Sequence, residues 1–349
     1  MEREDVDGSV RAASGDDAGG TAGGAGARPP GDGTGAGAVG AGAVGAGAAG
    51  TWRLGDLTVH RIGFGAMRLT GSGAFDQGTP SDRERAVGVL RRAVELGVNH
   101  IDTAAFYFSS LRSANELINR ALAPYPEDLV ITTKVWPGRD SSGDWWWARP
   151  DQLRGQVEEN LRQLGRDHLD VVNLRLPPSH RSGSIAEHFG ALADLRAAGL
   201  IRHLGVSNVV EEQVAEARGI APVVCVQYPY ALDARRAGSD RLLRVCGEQG
   251  IAFVPFFAIA GKGGDSARGA GRSTDALLTV ARAHGATPAQ IRLAWTLHQG
   301  PHVLAIPGTG NPDHLTANVA AGALRLSAAE LALLAGESEA GEKLDGSLP

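Results

Sequence analysis

At 349 residues, 43% of them hydrophobic and 21% charged, the chain is long enough for one barrel-sized domain of about 250 residues plus extensions. A formal charge of -5 leaves no basic excess for a phosphate backbone, so nucleic acid is not an expected partner. Two cysteines, Cys225 and Cys246, make no disulfide framework and have no second cysteine or histidine at metal-ligand spacing, so no metal centre is expected and a reducing cytoplasm fits.

Residues 1–50 are dominated by Gly and Ala and hold seven acids against three bases. Such a segment buries too little apolar surface to offset its ordering entropy, and the expectation is a disordered tail, or sequence translated upstream of the true start. The tail contains Gly35-Ala-Gly37-Ala-Val-Gly40, which matches the dinucleotide fingerprint. That pattern carries meaning only between a strand and a helix with an acid some twenty residues on, and here a Gly/Ala tract produces it by chance. The start Met1-Glu-Arg-Glu-Asp is acidic where a signal peptide is basic, and no apolar run approaches the ~18 residues of a membrane span. A soluble protein is expected.

From Thr51 short β-rich runs alternate with amphipathic helical patterns. The strand candidates are Ile62–Ala66, Val98–Thr103, Leu129–Lys134, Asp170–Arg175, His203–Asn208, Val223–Tyr228, Ile251–Phe256 and Val303–Pro307. Between them lie Glu84–Leu96, Pro150–Leu164, Ile185–Ala198, Asp240–Gln249 and Thr287–Leu297. Thr287-Pro-Ala-Gln290 and Ser327-Ala-Ala-Glu330 read as capping boxes, and Gly97 and Gly199 as helix stops. This alternation predicts an α/β fold, a (β/α)8 TIM barrel over residues 51–336, with 337–349 as a flexible C-terminal tail.

In such a barrel the active site sits at the C-terminal strand ends. Asp102 and Tyr107, Lys134, Arg175, Ser207 with Asn208, and Gln227 all fall at or just past a strand end. Barrel interiors also hold polar layers for packing alone, but five such ends together point to chemistry. Asp102, Tyr107 and Lys134 supply a carboxylate, a phenol and an ammonium at neighbouring strand ends. A free phenol titrates near pH ~10, a nearby cation stabilises phenolate, and a carboxylate keeps the lysine charged. Those groups make a proton donor. On Asp170–Arg175 the period of two puts Val171, Asn173 and Arg175 on one face, aiming Arg175 into the barrel mouth.

With these residues in hand, the chain resembles the aldo-keto reductase family from about Thr51 to Leu334. Gly63-Phe-Gly65-Ala-Met67 is similar to the family's first strand, and Asp102-Thr-Ala-Ala-Phe-Tyr107 with Lys134 to its catalytic segment. The resemblance implies that Ser207, Asn208 and Gln227 hold a nicotinamide carboxamide and that Phe256 stacks on the nicotinamide ring. Ile306-Pro-Gly308-Thr309-Gly-Asn-Pro-Asp-His314-Leu-Thr-Ala-Asn318 resembles the adenosine-phosphate segment. It further implies hydride transfer from NADPH, with NADH as a second cofactor, to an aldehyde or ketone protonated by Tyr107. The expected partner is therefore a small-molecule carbonyl substrate; no membrane partner is expected, and the oligomeric state stays open.

Several departures keep alternatives open. Arg175 stands where the family usually has His, and a guanidinium suits carboxylate or phosphate better than a neutral carbonyl. Reduction of a conjugated C=C or C=N bond is one alternative, and a cofactor-sensing regulatory subunit without turnover is another. The loop Phe108–Ser113 looks longer than the family's. Gly308, Thr309 and His314 replace residues that often select NADPH, although Lys262, Arg268 and Arg272 in the loop after the seventh strand offer charge. Trp136, Trp145, Trp146 and Trp147 fall where the family builds a substrate wall; a surface staple is the other reading.

Overall fold

The computed structural model describes residues 44–71, 79–180, 182–259 and 275–341. A short 3₁₀ turn, Ala46–Ala49, leads into a hairpin of β1 (Thr51–Leu54) and β2 (Leu57–His60), which turns at Gly55 with φ +66°. The chain continues through β3 (Phe64–Gly65), α1 (Arg83–Glu95), β4 (His100–Asp102), α2 (Ala114–Leu122) and β5 (Val130–Val135). A second hairpin, β6 (Pro137–Arg139) and β7 (Trp145–Trp147), precedes α3 (Leu153–Leu164), β8 (Leu169–Arg175), α4 (Ala186–Ala197), β9 (Ile201–Ser207) and α5 (Glu211–Ile220). Then come β10 (Val223–Pro229), α6 (Ser239–Glu248), β11 (Ala252–Phe256), α7 (Asp275–Ala283), α8 (Pro288–His298), α9 (Pro312–Ala320) and α10 (Ala328–Gly341).

One parallel sheet runs β3-β4-β5-β8-β9-β10-β11. The eighth expected strand, Val303–Pro307, forms no continuous strand but closes the barrel through parallel bridges to Phe253 on one side and Ile62 on the other. Leu304 N donates to Phe253 O at 2.9 Å, Ala305 N to Arg61 O at 2.8 Å, and Gly65 N to Pro307 O at 3.2 Å. Pro307 has no N–H to continue the ladder, so the segment pairs and then leaves. A parallel sheet buried on both faces should read as near-continuous apolar runs, and β5 is buried at every position.

The alternation predicted for the strands decides what faces the barrel interior. Val130 and Val171 pack in an inner cluster with Ala252, Val254 and Leu304, closed by Leu54 and Val59 of the β1–β2 hairpin. Ile131, Val135, Val172 and Leu174 pack outward in the larger cluster beneath the helices. The hairpin covers the end where strands begin, and Asp56 in its turn bonds Arg202 at 2.6 Å and His203 at 2.5 Å near the start of β9. One end is thus plugged and the other is left open. The capping boxes at Thr287 and Ser327 form, and Gly97 and Gly199 stop their helices at φ +82°.

The boundaries differ from expectation at both ends. Ala46 and Ala49 are 0% and 6% exposed, Ala46 N donates to Leu96 O at 2.8 Å, and Arg325 donates to Ala48 O at 2.7 Å. Residues 46–49, expected to belong to a tail over 1–50, therefore pack on the barrel, because the alanine methyls are small enough to lie flat on its wall; residues 1–43 lie outside the described residues. At the other end α10 runs to Gly341, past the expected boundary at 336, and 342–349 lie outside the described residues. Among the described residues no single helix is long and apolar enough to cross a membrane, and no cluster of His, Cys, Asp and Glu is placed to hold a metal.

Candidate active site

At the open end a cavity of about 570 Å³ is lined by Asp102, Tyr107, Lys134, Arg175 and Gln227 together with Gly65, Met67, Phe256 and Gly308. Residues from β3, β4, β5, β8, β10, β11 and the closing segment thus converge as the barrel geometry requires. Lys134 Nζ donates to Asp102 Oδ1 at 2.5 Å and to Thr103 O at 3.0 Å. Gln227 Nε2 donates to Asp102 Oδ2, so both carboxylate oxygens are engaged. Burial disfavours the Lys134 ammonium, but Asp102 and Tyr107 outweigh it and hold the lysine above its ordinary value. The inner face carries a polar layer below this one: His100 Nε2 lies 3.1 Å from Thr132 Oγ1, and Cys225 Sγ donates to Asn173 Oδ1 at 3.2 Å.

Tyr107 is 7% exposed, and Lys134 Nζ stands 4.9 Å from its ring centre. Backbone bonds pin it: Tyr107 N donates to Ala104 O at 3.0 Å, and Ala114 N, at the head of α2, donates to Tyr107 O at 2.9 Å. Ser113 caps α2 by accepting from Glu116 N at 3.4 Å, a Ser-x-x-Glu signal that locates the helix in the sequence. Arg139 was not singled out from sequence, yet its guanidinium donates to Phe106 O at 3.4 Å and Phe108 O at 2.9 Å, the two carbonyls flanking Tyr107. It also lies 4.5 Å from the Phe108 ring centre. The loop Phe108–Ser113 closes on itself through a bridge between its ends.

Arg175 points into the cavity, as the alternation on β8 predicts. It donates to Ser207 Oγ at 3.0 Å, and its guanidinium lies 4.7 Å from the Phe256 ring centre. Burial pulls it below the usual guanidinium value; Tyr107 and Asp102 work against that and Arg236 adds to it. Among the described residues it has no carboxylate partner.

The residues expected to hold the nicotinamide divide into two groups. Gln227 lines the cavity, and with its amide nitrogen committed to Asp102 its Oε1 is buried without a partner. The opposite amide orientation would face two acceptors together, so the open atom is an acceptor suited to a carboxamide N–H. Ser207 and Asn208 are buried at 0% and 4% exposure behind Arg175; Asn208 donates to Leu176 O at 3.1 Å and accepts from Arg236 at 3.0 Å. Phe256 offers its face, on which Arg175 lies. Gly65 and Gly308 touch across the barrel seam, where a Cβ at Gly65 would sit 2.6 Å from Ile306 O. Thr309 and Asn318 are buried and His314 is exposed, all outside the cavity lining. Lys262, Arg268 and Arg272 lie outside the described residues.

Two of the four grouped tryptophans form a wall. Trp145 and Trp147 line the cavity with rings 6.4 Å apart and 14° from parallel, and Trp145 meets Phe106 at 5.6 Å. Trp146 lies on the other side of the hairpin over Gly138. Trp136, 3% exposed, packs between His188 at 4.0 Å and His180 at 5.0 Å. Trp136, Asn208 and Phe257 adopt φ of 95°, 62° and 65°, each just beyond a barrel strand. Asn tolerates that region, whereas the strain in the bulky Trp136 and Phe257 is of the kind that collects at functional sites.

A family model described as the aldo/keto reductase family matches residues 61–337. The chain is 44% identical to the pyridoxine 4-dehydrogenase of Escherichia coli (strain K12) over 293 residues, 82% of this chain and 98% of the relative. It is 32% identical to the methylglyoxal reductase YeaE of the same organism, covering 77% of this chain and 90% of the relative. Among solved structures, a thermostable aldo-keto reductase crystallised with the inhibitor epalrestat is similar at TM-score 0.68 and 31% identity, covering 82% of this chain and 98% of that one. An aldo-keto reductase from Klebsiella pneumoniae in complex with NADPH is similar at TM-score 0.69 and 29% identity, covering 82% and 94%. With the barrel, the cavity at its strand ends and these matches agreeing along the same residues, the chain is an oxidoreductase and belongs to the aldo/keto reductase family.

Proposed function

We propose that the chain reduces an aromatic aldehyde to the alcohol, and runs the reverse oxidation, with NADPH as the preferred cofactor and NADH as a usable one. The observation that carries the reading is the buried Lys134–Asp102 pair at 2.5 Å beneath the Tyr107 ring, in one cavity with the Trp145 and Trp147 wall. Nicotinamide, when bound, supplies the hydride. Tyr107 gives its phenolic proton to the carbonyl oxygen, which becomes the hydroxyl of the product. The phenolate left behind faces the Lys134 ammonium, and Asp102 keeps that ammonium charged and aimed. Gln227 fixes the second oxygen of Asp102, and its open Oε1 would accept from a bound carboxamide. Gly65, Met67 and Gly308 line the cofactor's side, while Thr309, His314 and Asn318 are its phosphate-side candidates.

The relative named pyridoxine 4-dehydrogenase supports an aromatic substrate, and the aromatic cavity fits one. The activities named among the relatives, pyridoxine dehydrogenation and methylglyoxal reduction, interconvert alcohols and carbonyls. Reduction of C=C or C=N bonds and a purely regulatory role find no support there. Two buried free thiols, Cys225 and Cys246, with burial pushing both up to about 12, fit a cytoplasmic enzyme. The test is oxidation of reduced cofactor across a carbonyl panel including pyridoxal, for the parent and Tyr107→Phe. Loss of ~10²–10⁴ in rate with cofactor affinity retained is expected. A variant keeping more than half the activity would show that another group is the acid.

A further inference from the structure

Arg175 is a partly buried cation whose partners are a hydroxyl and an aromatic face. Ser207 Oγ accepts one N–H, and Phe256 takes the guanidinium plane. The carboxylate that acts on it, Asp102, is committed to Lys134 through one oxygen and to Gln227 through the other. A guanidinium with part of its hydration lost and no anionic partner among the described residues is incompletely compensated, and it lines the same cavity as Tyr107. The titratable groups facing it are Tyr107, a neutral phenol before reaction, Arg236 and Asp102; with Asp102 already paired to Lys134, the local balance favours an incoming anion. A planar fork of donors suits an oxygen anion held in the plane of a ring. The parallel indoles of Trp145 and Trp147 and the neighbouring Phe106 suit a flat aromatic body.

We propose that Arg175 binds an ionised hydroxyl lying ortho to the reacting aldehyde, so that the preferred substrates are planar aromatic aldehydes of the 2-hydroxybenzaldehyde or 3-hydroxypyridine-4-carbaldehyde type. This rests on the carbonyl-reductase reading above. The aldehyde oxygen takes the Tyr107 proton while the neighbouring ring oxygen pairs with Arg175. A ring oxygen and the neighbouring formyl oxygen of one flat molecule then match a cation and an acid on adjacent parts of one cavity. If a bound nicotinamide took the face of Phe256 on which Arg175 lies, the guanidinium would have to leave that ring, and the substrate's oxygen anion would be its replacement partner. A neutral imidazole at this position would have no such preference.

The test measures kcat/KM with NADPH for 2-hydroxybenzaldehyde, 3-hydroxybenzaldehyde, 2-methoxybenzaldehyde and phenylglyoxylate in the parent, Arg175→Met and Arg175→Lys. In the parent the ortho-hydroxy aldehyde is favoured over the meta and methoxy analogues at least ~10-fold, a ratio set by one charged bond. In Arg175→Met the ratio falls to near one, and in Arg175→Lys it lies between. Calorimetric titration of 2-hydroxybenzaldehyde into protein saturated with NADP+, where no reduction takes place, reads binding alone and weakens at least ~10-fold in Arg175→Met. An equal ortho and meta rate in the parent, a ratio that survives in Arg175→Met, or a preference for phenylglyoxylate overturns the proposal. Arg175-dependent binding without turnover of any aldehyde would uphold the anion site and sink the reductase reading instead.

Discussion

Lys134 and Asp102 meet at 2.5 Å with each side chain 5% exposed, and among the described residues neither makes a second salt bridge. Lys134→Met would leave the Asp102 carboxylate buried against Gln227 with its bonded cation gone and the Arg175 guanidinium only at a distance. Breaking one side of a buried pair costs ~3–5 kcal/mol. Burial opposes the ammonium, yet Asp102 and Tyr107 raise Lys134 above its ordinary 10.5. The stability from the pair is therefore complete below 10.5 and is lost as pH rises through the higher folded value. Urea unfolding of Lys134→Met at neutral pH should show that loss together with collapse of turnover. A variant as stable as the parent would mean that the pair contributes nothing net.

His100 makes the fold acid-sensitive from inside the barrel. Burial, the largest influence, holds it down at about 4 against an ordinary 6.5, with Asp102 opposing and Lys134 reinforcing. Below 6.5 the unfolded chain binds a proton that the folded one refuses, so stability falls as pH drops from 6.5 toward 4. By pH 5 the loss from this group is about 2 kcal/mol relative to pH 7. His100→Gln, which keeps a polar group beside Thr132 but does not titrate, should lose less stability than the parent between those two values in urea titrations. Identical losses would show that His100 takes up its proton in the folded state.

Truncation separates the two ends of the Gly/Ala segment. Removing residues 1–50 deletes the buried Ala46 and Ala49, the bond from Ala46 N to Leu96 O and the carbonyls that Arg61 and Arg325 hold. A few such bonds and methyls amount to roughly 2–3 kcal/mol, or a melting temperature about 5 °C lower than that of a chain starting at Val44. Equal melting curves for the two truncations would show that the turn is ornamental.

The barrel was legible because its strands are apolar runs ending on polar residues, and Lys134 closing Val130-Ile-Thr-Thr is the clearest case. Arg175's direction followed from the same period of two, since Val171 and Leu174 do pack on opposite faces. Less legible were contacts that depend on neighbours far apart in sequence. Arg139 reads as an ordinary loop arginine until the hairpin of Pro137–Arg139 and Trp145–Trp147 folds it against the carbonyls around Tyr107. Ala46 and Ala49 belong to a tract whose composition signals a tail, and only the partner surface at Leu96 and Gly322 makes them core. The eighth strand was placed correctly but pairs too briefly to form a regular ladder.

Cofactor choice turns on the segment from Gly308 to Asn318. Asn311 caps α9 by accepting from Asp313 N at 2.9 Å, and Thr309 Oγ1 accepts from Asn311 N at 3.0 Å, so Thr309 is rigidly placed beside the helix start. His314 is exposed in the first turn of that helix, but Asp313 next to it is an exposed carboxylate. Helix amides and one imidazole attract a 2′-phosphate, while the carboxylate repels it. NADPH should therefore bind more tightly than NADH by only about 3–10-fold, as one exposed charged contact allows. His314→Arg substitutes a guanidinium that is always charged and forks onto phosphate, and the ratio should widen by a further ~5-fold. Quenching of Trp145 and Trp147 fluorescence gives both dissociation constants. Equal constants in the parent would remove the NADPH preference, and a ratio unmoved by His314→Arg would put the phosphate away from α9.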